Sequence, residues 1–443
     1  MPHILLLGAG RSATVLISYL FTQAIAQYWH VTVADLSVAH LPLPENKQLR
    51  VISLNIHDEA QVTAQIAEAD LVISLLPAVL HLVVARLCLK LRRNLITASY
   101  VTPEIQALHQ KAQAEGLLFL MEAGLDPGID HLSAMALLNK IKGAGGKVLS
   151  FKSYTGGLVS PESDTNPWHY KFTWNPRNVV LAGQGTAKYL ENGRYKFIPY
   201  HQLFNRTEPL WVGELGAFDG YANRDSLLYQ KPYGLQDVQT LIRGTLRRRG
   251  YCQAWHLLVQ LGLTDDSYFL PKTQNLTYRQ FLLSYLPSSP VFSANWLSQV
   301  AHYLNISPKS QAIALLKYLD FPNEPIGLAQ ATPAQVLEKL LLQKWHLQPE
   351  DKDMVVMQHL ITYELDGQQK QVTSSLIVLG EDSSRTAMAK TVGLPVGIAA
   401  KLVLQDKIKE RGVVIPTQAA FYEPILAELQ TYGITFLEEE TTL

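Results

Sequence analysis

The chain has 443 residues, too many for one hydrophobic core, and its 38 Lys+Arg balance 38 Asp+Glu, so no net field favours nucleic acid or an anionic membrane. With 47% hydrophobic and 17% charged residues it has an ordinary globular make-up, and its two distant cysteines, Cys88 and Cys252, suit neither a disulfide framework nor a metal site. The start lacks the basic flank and long apolar run of a leader, and no run of about 18 apolar residues suggests a membrane span; a cytoplasmic protein acting on a small molecule, with no nucleic acid and no membrane as partner, is expected.

Up to Met121, short runs rich in Val, Ile and Leu alternate with apolar-periodic stretches. The runs Ile4–Gly8, Val31–Asp35, Val51–Leu54, Leu71–Leu75, Leu95–Ala98 and Leu117–Met121 read as buried parallel strands. Thr14–Gln27, Glu59–Ala67, Ala78–Arg92 and Pro103–Glu115 read as the helices between them, which gives a doubly wound α/β sheet of order 3-2-1-4-5-6.

The first strand runs into Gly8-Ala9-Gly10-Arg11-Ser12-Ala13 and then into a helix beginning at Thr14, the context that gives a G-x-G-x-x-G/A pattern meaning. Gly8 permits the tight turn, Gly10 lets the backbone approach a pyrophosphate, and Ala13 allows close helix–sheet packing, with helix N–H groups facing the phosphates. Asp35 closes the second strand, where a carboxylate binds the adenine ribose and repels a 2′-phosphate; this favours NAD, while Arg11 and Lys47 leave NADP open. Asp35 could also be a structural turn residue. Ser74-Leu75-Leu76-Pro77 and Thr97-Ala98-Ser99-Tyr100 close the fourth and fifth strands and share the ligand-binding edge of the sheet.

After the sixth strand comes Gly124-Leu125-Asp126-Pro127-Gly128-Ile129-Asp130-His131, a tight backbone path carrying two carboxylates and an imidazole, the groups used in proton transfer. Asp126 is the first candidate for that work, and His131 either takes part or caps the helix that follows.

From Lys147 the texture changes: Val148–Tyr154, Val212–Phe218, Val355–Tyr363 and Gln371–Leu379 read as antiparallel strands, the last two joined by an Asp366-Gly367 turn, with a Leu-rich helical region over Tyr251–Gln348. Ala387–Leu404 and Glu423–Gln430 read as helices of a tail that packs back on the first domain. Arginines beside turn residues, in Asn223-Arg224-Asp225-Ser226 and Arg243-Gly244-Thr245-Leu246-Arg247, suit bidentate binding of carboxylates. Arg224 could instead pair with Asp225, Arg248 and Arg249 could form a solvated basic face, and Lys171 could lie on the surface.

The blocks VISLLP, TASYVTPE, GLDPGIDH, SYTGGL, YKFTW, NRDS, RGTLR, DMVVMQH and TAMAKTVGLP, in this order from residue 4 to the end, resemble the L-glutamate-forming saccharopine dehydrogenases, also called saccharopine reductases. The resemblance is weakest between about 260 and 345. It implies oxidation of the secondary amine of saccharopine with NAD(P)+ to an imine, hydrolysed to L-glutamate and 2-aminoadipate 6-semialdehyde in lysine metabolism, or the reverse reaction. It implies a Rossmann domain over 1–125 completed by a C-terminal segment over 386–443. A mixed α/β substrate domain over 126–255 and 349–385 carries an inserted helical domain over 256–348. A homodimer is expected.

By the same resemblance Ser99, Tyr100, Asp126, Arg224, Thr245, Leu246 and Arg247 fall on substrate positions. Arg11, Ser12, Ala13, Thr14, Leu75, Leu76, Ala98, Leu125 and Trp174 fall on cofactor positions, beside Gly8, Gly10 and Asp35. Asp126 is the expected base, with Tyr100 orienting or relaying. Thr155 stands where members often have Cys, so a thiol relay is not available, and Asp35-Leu36 resembles the NAD-dependent catabolic members. Competing readings are a related amine dehydrogenase for carboxynorspermidine or lysine, which needs fewer arginines, and a non-catalytic dinucleotide-binding scaffold.

Overall fold

The computed structural model describes residues 1–39, 41, 46–288 and 295–443, so 289–294 of the expected helical segment lie outside the described residues. The chain forms two units, one of Met1–Lys147 with Leu376–Leu437, the other of Val148–Ser375 with Glu438–Leu443. In chain order the strands of the first part are β1 His3–Leu7, β2 His30–Asp35, β3 Leu49–Ser53, β4 Leu71–Ser74, β5 Asn94–Thr97 and β6 Leu118–Leu120. There follow β7 Lys147–Val159, β8 Thr186–Glu191, β9 Arg194–Pro199, β10 Glu208–Trp211, β11 Ala217–Ala222 and β12 Thr240–Arg248. The last are β13 Asp353–Leu365, β14 Gln368–Leu379, β15 Gly412–Val414 and β16 Phe436–Thr442.

In the first unit the sheet order is β15-β6-β5-β4-β1-β2-β3, with parallel pairing throughout. This is the doubly wound order expected from the periodicity, extended by β15 from the C-terminal segment. Without β15, the apolar β6 would present an open edge of unpaired backbone. The strands are apolar on both faces because helices cover both: Ile4, Leu5, Leu6, Leu71, Val72, Ile73, Leu95 and Ile96 are fully buried. The helix Thr14–Gln27 has the expected bounds and ends where Tyr28 turns left-handed. The expected helix Pro103–Glu115 is instead two short ones, Pro103–Gln106 and His109–Ala114, separated by a turn in which Leu108 N–H donates to Ile105 O.

Helix Ala387–Leu404 has the length and apolarity of a membrane span but is mostly buried in this unit. Its small residues explain the fit against Thr14–Gln27. A Cβ on Gly393 would stand 2.9 Å from the Leu16 backbone nitrogen, and one on Gly397 would stand 2.5 Å from the Tyr19 ring.

The second unit is built on a mixed sheet of order β10-β11-β12-β7-β13-β14-β16, with β8 joining β12 and β9 pairing with β8. The hairpin between β13 and β14 turns at Asp366 and Gly367, both with positive φ, as the Asp-Gly pair requires. The expected strand Val212–Phe218 is wrong in its first half: Gly213–Leu215 is a 3₁₀ turn that begins on one positive-φ glycine and is followed by another, Gly216, and β11 starts only at Ala217. Helices Tyr251–Gln260, Tyr278–Leu283, Trp296–Tyr303, Gln311–Leu319 and Pro333–Lys344 share one apolar core with the sheet, to which strands give Tyr154, Phe218 and Leu246 and helices give Trp255, Leu316 and Leu337.

The Gly393 seam yields a stability prediction. Gly393→Val should destabilise the protein by about 1–3 kcal/mol through overpacking. Gly143→Ala, at a helix end where a Cβ meets nothing within 4 Å, should be neutral or better. Thermal unfolding of both variants checks this, and an unchanged transition for Gly393→Val would refute the close seam.

Candidate active site

The phosphate loop follows directly from β1. Gly8 has φ +98, and a Cβ there would stand 2.9 Å from the Leu75 carbonyl, so the turn after β1 and the loop after β4 touch through backbone alone. Gly10 is the opposite case: it is exposed, with nothing within 4 Å of where a Cβ would be, which leaves room for a ligand at the start of Arg11–Ala13. Ala13 is buried, Thr14 opens the long helix, and Arg11 is exposed. The Asp35 carboxylate accepts from Ala9 N–H at 2.7 Å and from Ser37 N–H at 3.1 Å, so one side chain ties the glycine loop to the end of β2. An open cradle with glycines where backbone must approach, and an acid at the ribose position, fits a dinucleotide.

The loops after β4, β5 and β6 gather at the same edge of this sheet. Leu75 and Leu76 are half-buried after β4, as are Ala98, Ser99 and Tyr100 after β5. The coil after β6 is the tightest piece of backbone in this unit. Gly124 N–H donates to Pro127 O at 2.9 Å and Ile129 N–H to Gly124 O at 2.8 Å, while a Cβ on Gly128 would fall 1.9 Å from Gly124 O. Only glycine fits there. The Asp126–Pro127 bond is cis. In this buried coil Asp126 is the residue left half-exposed, and Tyr100 donates its hydroxyl to the Asp126 carboxylate at 3.1 Å. Leu125 is 5% exposed and Gly124 packs against the Ala98 methyl.

His131 is neither a helix cap nor a surface group. It is fully buried, with Nε2 at 2.7 Å from Glu122 Oε2 and Nδ1 at 3.6 Å from Asp130 Oδ2. Glu122 accepts from Val101 N–H at 3.0 Å and Asp130 accepts from Gly128 N–H at 2.6 Å. A chain of buried polar groups therefore runs behind the loops that carry Tyr100 and Asp126. A second buried histidine escaped the sequence reading: His81 bridges Ser74 at 2.9 Å and Ser99 at 2.6 Å, and burial lowers its pKa to about 4. A lone histidine on an apolar helix face, four residues past Pro77, gave little signal of its own.

In the second unit the substrate candidates lie on β12 and on the turn after β11. Arg243, Thr245 and Arg247 alternate onto one face of β12, opposite Ser153 and Thr155 of β7 by register. Arg247 is buried, its guanidinium over the rings of Tyr170 at 5.2 Å and Tyr251 at 5.4 Å, and Nη1 donates to Leu246 O at 2.9 Å. No carboxylate pairs with it among the described residues, and its Nε has no partner. Leu246 itself points into the apolar core, so it can meet a ligand only through its backbone. The Thr155 hydroxyl is likewise buried without a partner among the described residues.

Arg224 is exposed, at a left-handed turn position, and Asp225 pairs with Lys188 at 3.0 Å. Trp174 is half-buried against the core. Lys171 is buried, not on the surface: its ammonium meets Asp351 at 2.6 Å, so its charge is already answered within the protein. Arg248 is half-buried over Phe218 and donates to Leu215 O at 2.7 Å, while Arg249 is exposed.

Comparison with known proteins covers nearly the whole chain. Residues 4–120 match a family model described as the saccharopine dehydrogenase NADP binding domain, and residues 124–434 match the saccharopine dehydrogenase C-terminal domain. The chain is 33% identical over 450 residues to saccharopine dehydrogenase (NADP(+), L-glutamate-forming) of Schizosaccharomyces pombe, covering 99% of each chain. It is 35% identical over 474 residues to alpha-aminoadipic semialdehyde synthase of Arabidopsis thaliana, covering 98% of this chain but only 44% of that longer protein. The structure of apo saccharopine dehydrogenase (L-Glu forming) from Saccharomyces cerevisiae superposes with a TM-score of 0.86 at 31% identity over all of both chains. With matches from the first strand to the C-terminal segment, the chain belongs to the saccharopine dehydrogenase family.

Proposed function

We propose that this protein catalyses the NAD(P)-dependent oxidative cleavage of saccharopine to L-glutamate and 2-aminoadipate 6-semialdehyde, or the reverse. The observation that carries the reading is the Tyr100–Asp126 pair at the open edge of a dinucleotide sheet, in a chain similar over its whole length to enzymes named for that reaction. A bound nicotinamide dinucleotide would supply the hydride acceptor. Gly8, Gly10, Arg11, Ser12, Ala13, Thr14, Asp35, Leu75, Leu76, Ala98, Leu125 and Trp174 are the residues we assign to holding it.

Asp126 takes the proton from the substrate amine and later activates water; Tyr100 orients its carboxylate through the hydroxyl it donates. Ser99, Thr245, the Leu246 backbone, Arg224 and Arg247 hold the substrate carboxylates. Arg247 suits this role because a guanidinium kept out of water without an acid gains most when a carboxylate arrives. Carboxynorspermidine and lysine would leave part of that positive charge unanswered. The proposal extends to a cytoplasmic homodimer, although helix Ala387–Leu404 is used up inside its own unit and offers no dimer face.

Two predictions test the reading. Asp126→Ala should lower turnover of saccharopine by about 10²–10⁴-fold, the usual range for a lost acid–base group, while NADH binding followed by fluorescence stays unchanged. Tyr100→Phe should give a smaller loss. Survival of turnover in Asp126→Ala would show that the base lies elsewhere.

The second concerns the cofactor. Relatives named for NADP(+) argue for the phosphorylated form, but an acid at the end of β2, tied to the glycine loop, supports NAD by its repulsion of a 2′-phosphate, and we propose NAD for this chain. Steady-state rates should favour NAD+, and Asp35→Ser should move the NAD+/NADP+ ratio of kcat/KM toward NADP+ by about tenfold, one charged contact's worth. A wild-type preference for NADP+ would overturn this choice without touching the reaction.

A further inference from the structure

Two hydroxyls at the ligand edge of the first unit are joined by one imidazole. Ser74 ends β4, Ser99 lies two residues past β5, and His81 opens the helix His81–Leu91 between them. Nδ1 of His81 is 2.9 Å from Ser74 Oγ and Nε2 is 2.6 Å from Ser99 Oγ. Ser74 and His81 are buried, and Ser99 is half-buried.

The direction of these hydrogen bonds follows from counting protons. The neutral ring that burial enforces carries one N–H, so one nitrogen donates and the other accepts. Ser74 Oγ is buried and has no other hydrogen-bond partner among the described residues, so a Ser74 hydroxyl that accepted from His81 would strand its own proton, at a cost a buried hydroxyl avoids. Ser74 therefore donates to Nδ1, the ring proton sits on Nε2, and His81 donates to Ser99 Oγ. The Ser99 proton is then turned away from the protein, since its hydroxyl also has no second partner among the described residues. The Ser99 backbone is fixed as well: its N–H donates to Thr97 Oγ1 at 3.2 Å and its carbonyl accepts from Glu122 N–H at 3.1 Å. The torsion of its hydroxyl is what His81 settles.

We propose that His81 is a positioning residue, which, oriented by Ser74, makes Ser99 an obligate hydrogen-bond donor toward a carboxylate of the substrate. The proposal rests on the saccharopine reading for the identity of that carboxylate, and on the geometry alone for the direction of the bond. A histidine that merely filled the core would need no such polarity.

The experiment has two readouts on the full chain. First, ¹⁵N-histidine labelling of the 13 histidines, with His81→Gln to assign the signal, reports the tautomer. Wild type should show the Nε2–H form at His81, lost or mixed in Ser74→Ala; an Nδ1–H form in wild type overturns the proposal whatever the activity. Second, a double-mutant cycle of Ser99→Ala and His81→Leu is read by KM for saccharopine and by NADH binding. Each single change should raise KM by about tenfold, as for a lost oriented hydrogen bond, with NADH affinity unchanged. The double variant should be no worse than either alone, and His81→Gln should recover part of the loss. Additive effects, or a fall in NADH affinity equal to the rise in KM, would show that His81 acts on something other than Ser99 and overturn the proposal. Failure of wild type to turn over saccharopine would sink the functional reading by itself, and the tautomer would still decide the direction of the bond.

Discussion

The arrangement of the first unit hangs on a row of buried polar groups: Val101 N–H, Glu122, His131, Asp130 and Gly128 N–H in sequence of contact. Its two ends are backbone groups next to Tyr100 and close to Asp126, so the row fixes from behind the two loops whose side chains meet in front at 3.1 Å. Removing one member of such a set leaves a buried polar partner unsatisfied, which costs about 1–3 kcal/mol. That is a large share of the stability of an ordinary domain. The coil from Gly124 to Gly128 could not hold its path on glycines alone, because a glycine allows a conformation without enforcing it. The buried carboxylates enforce it.

The second unit handles charge in another way. Arg247 is surrounded by Tyr170 and Tyr251, and Arg243 lies 4.0 Å over the Tyr229 ring. Aromatic faces stabilise a guanidinium without supplying a negative charge to compete with a ligand. Lys171 is the contrast: bound to Asp351, which also accepts from Gln348 N–H at 2.7 Å, it has become part of the framework. Buried cations in this unit are therefore held in two ways, Lys171 by an acid and Arg247 over aromatic rings. That distinction depends on contacts such as Lys171 with Asp351, 180 positions apart in the chain.

This explains what could be read from the sequence. Local periodicity revealed the six parallel strands, the bounds of Thr14–Gln27 and Ala387–Leu404, and the hairpin at Asp366-Gly367, because each is set by neighbours in the chain. Strand β12 was hidden: it reads Thr-Leu-Ile-Arg-Gly-Thr-Leu-Arg-Arg, and its arginines look solvent-facing until the aromatic rings that bury them are known. Val212–Phe218 looked like a strand because Val, Leu and Phe recur there, but the glycines at 213 and 216 adopt positive φ and break it. His81, Glu122 and Asp351 carried no local mark of function. Each owes its role to a partner on another element.

Asp35 shows how closely cofactor choice and fold are joined. Its carboxylate is the expected reader of the ribose, yet it already accepts two backbone N–H groups, from Ala9 in the phosphate loop and from Ser37. One bond falls on each carboxylate oxygen, Ala9 N–H on Oδ2 and Ser37 N–H on Oδ1. Together they orient the carboxylate before any ligand arrives, so little conformational freedom is lost on binding. A change at this position must then do two things at once: alter the charge at the end of β2, and release the amide of Ala9 between the two glycines that shape the loop. On the proposed reading, selectivity for the cofactor is difficult to alter here without also loosening the glycine loop, which ties the acid at the end of β2 to the glycine pattern as one physical unit.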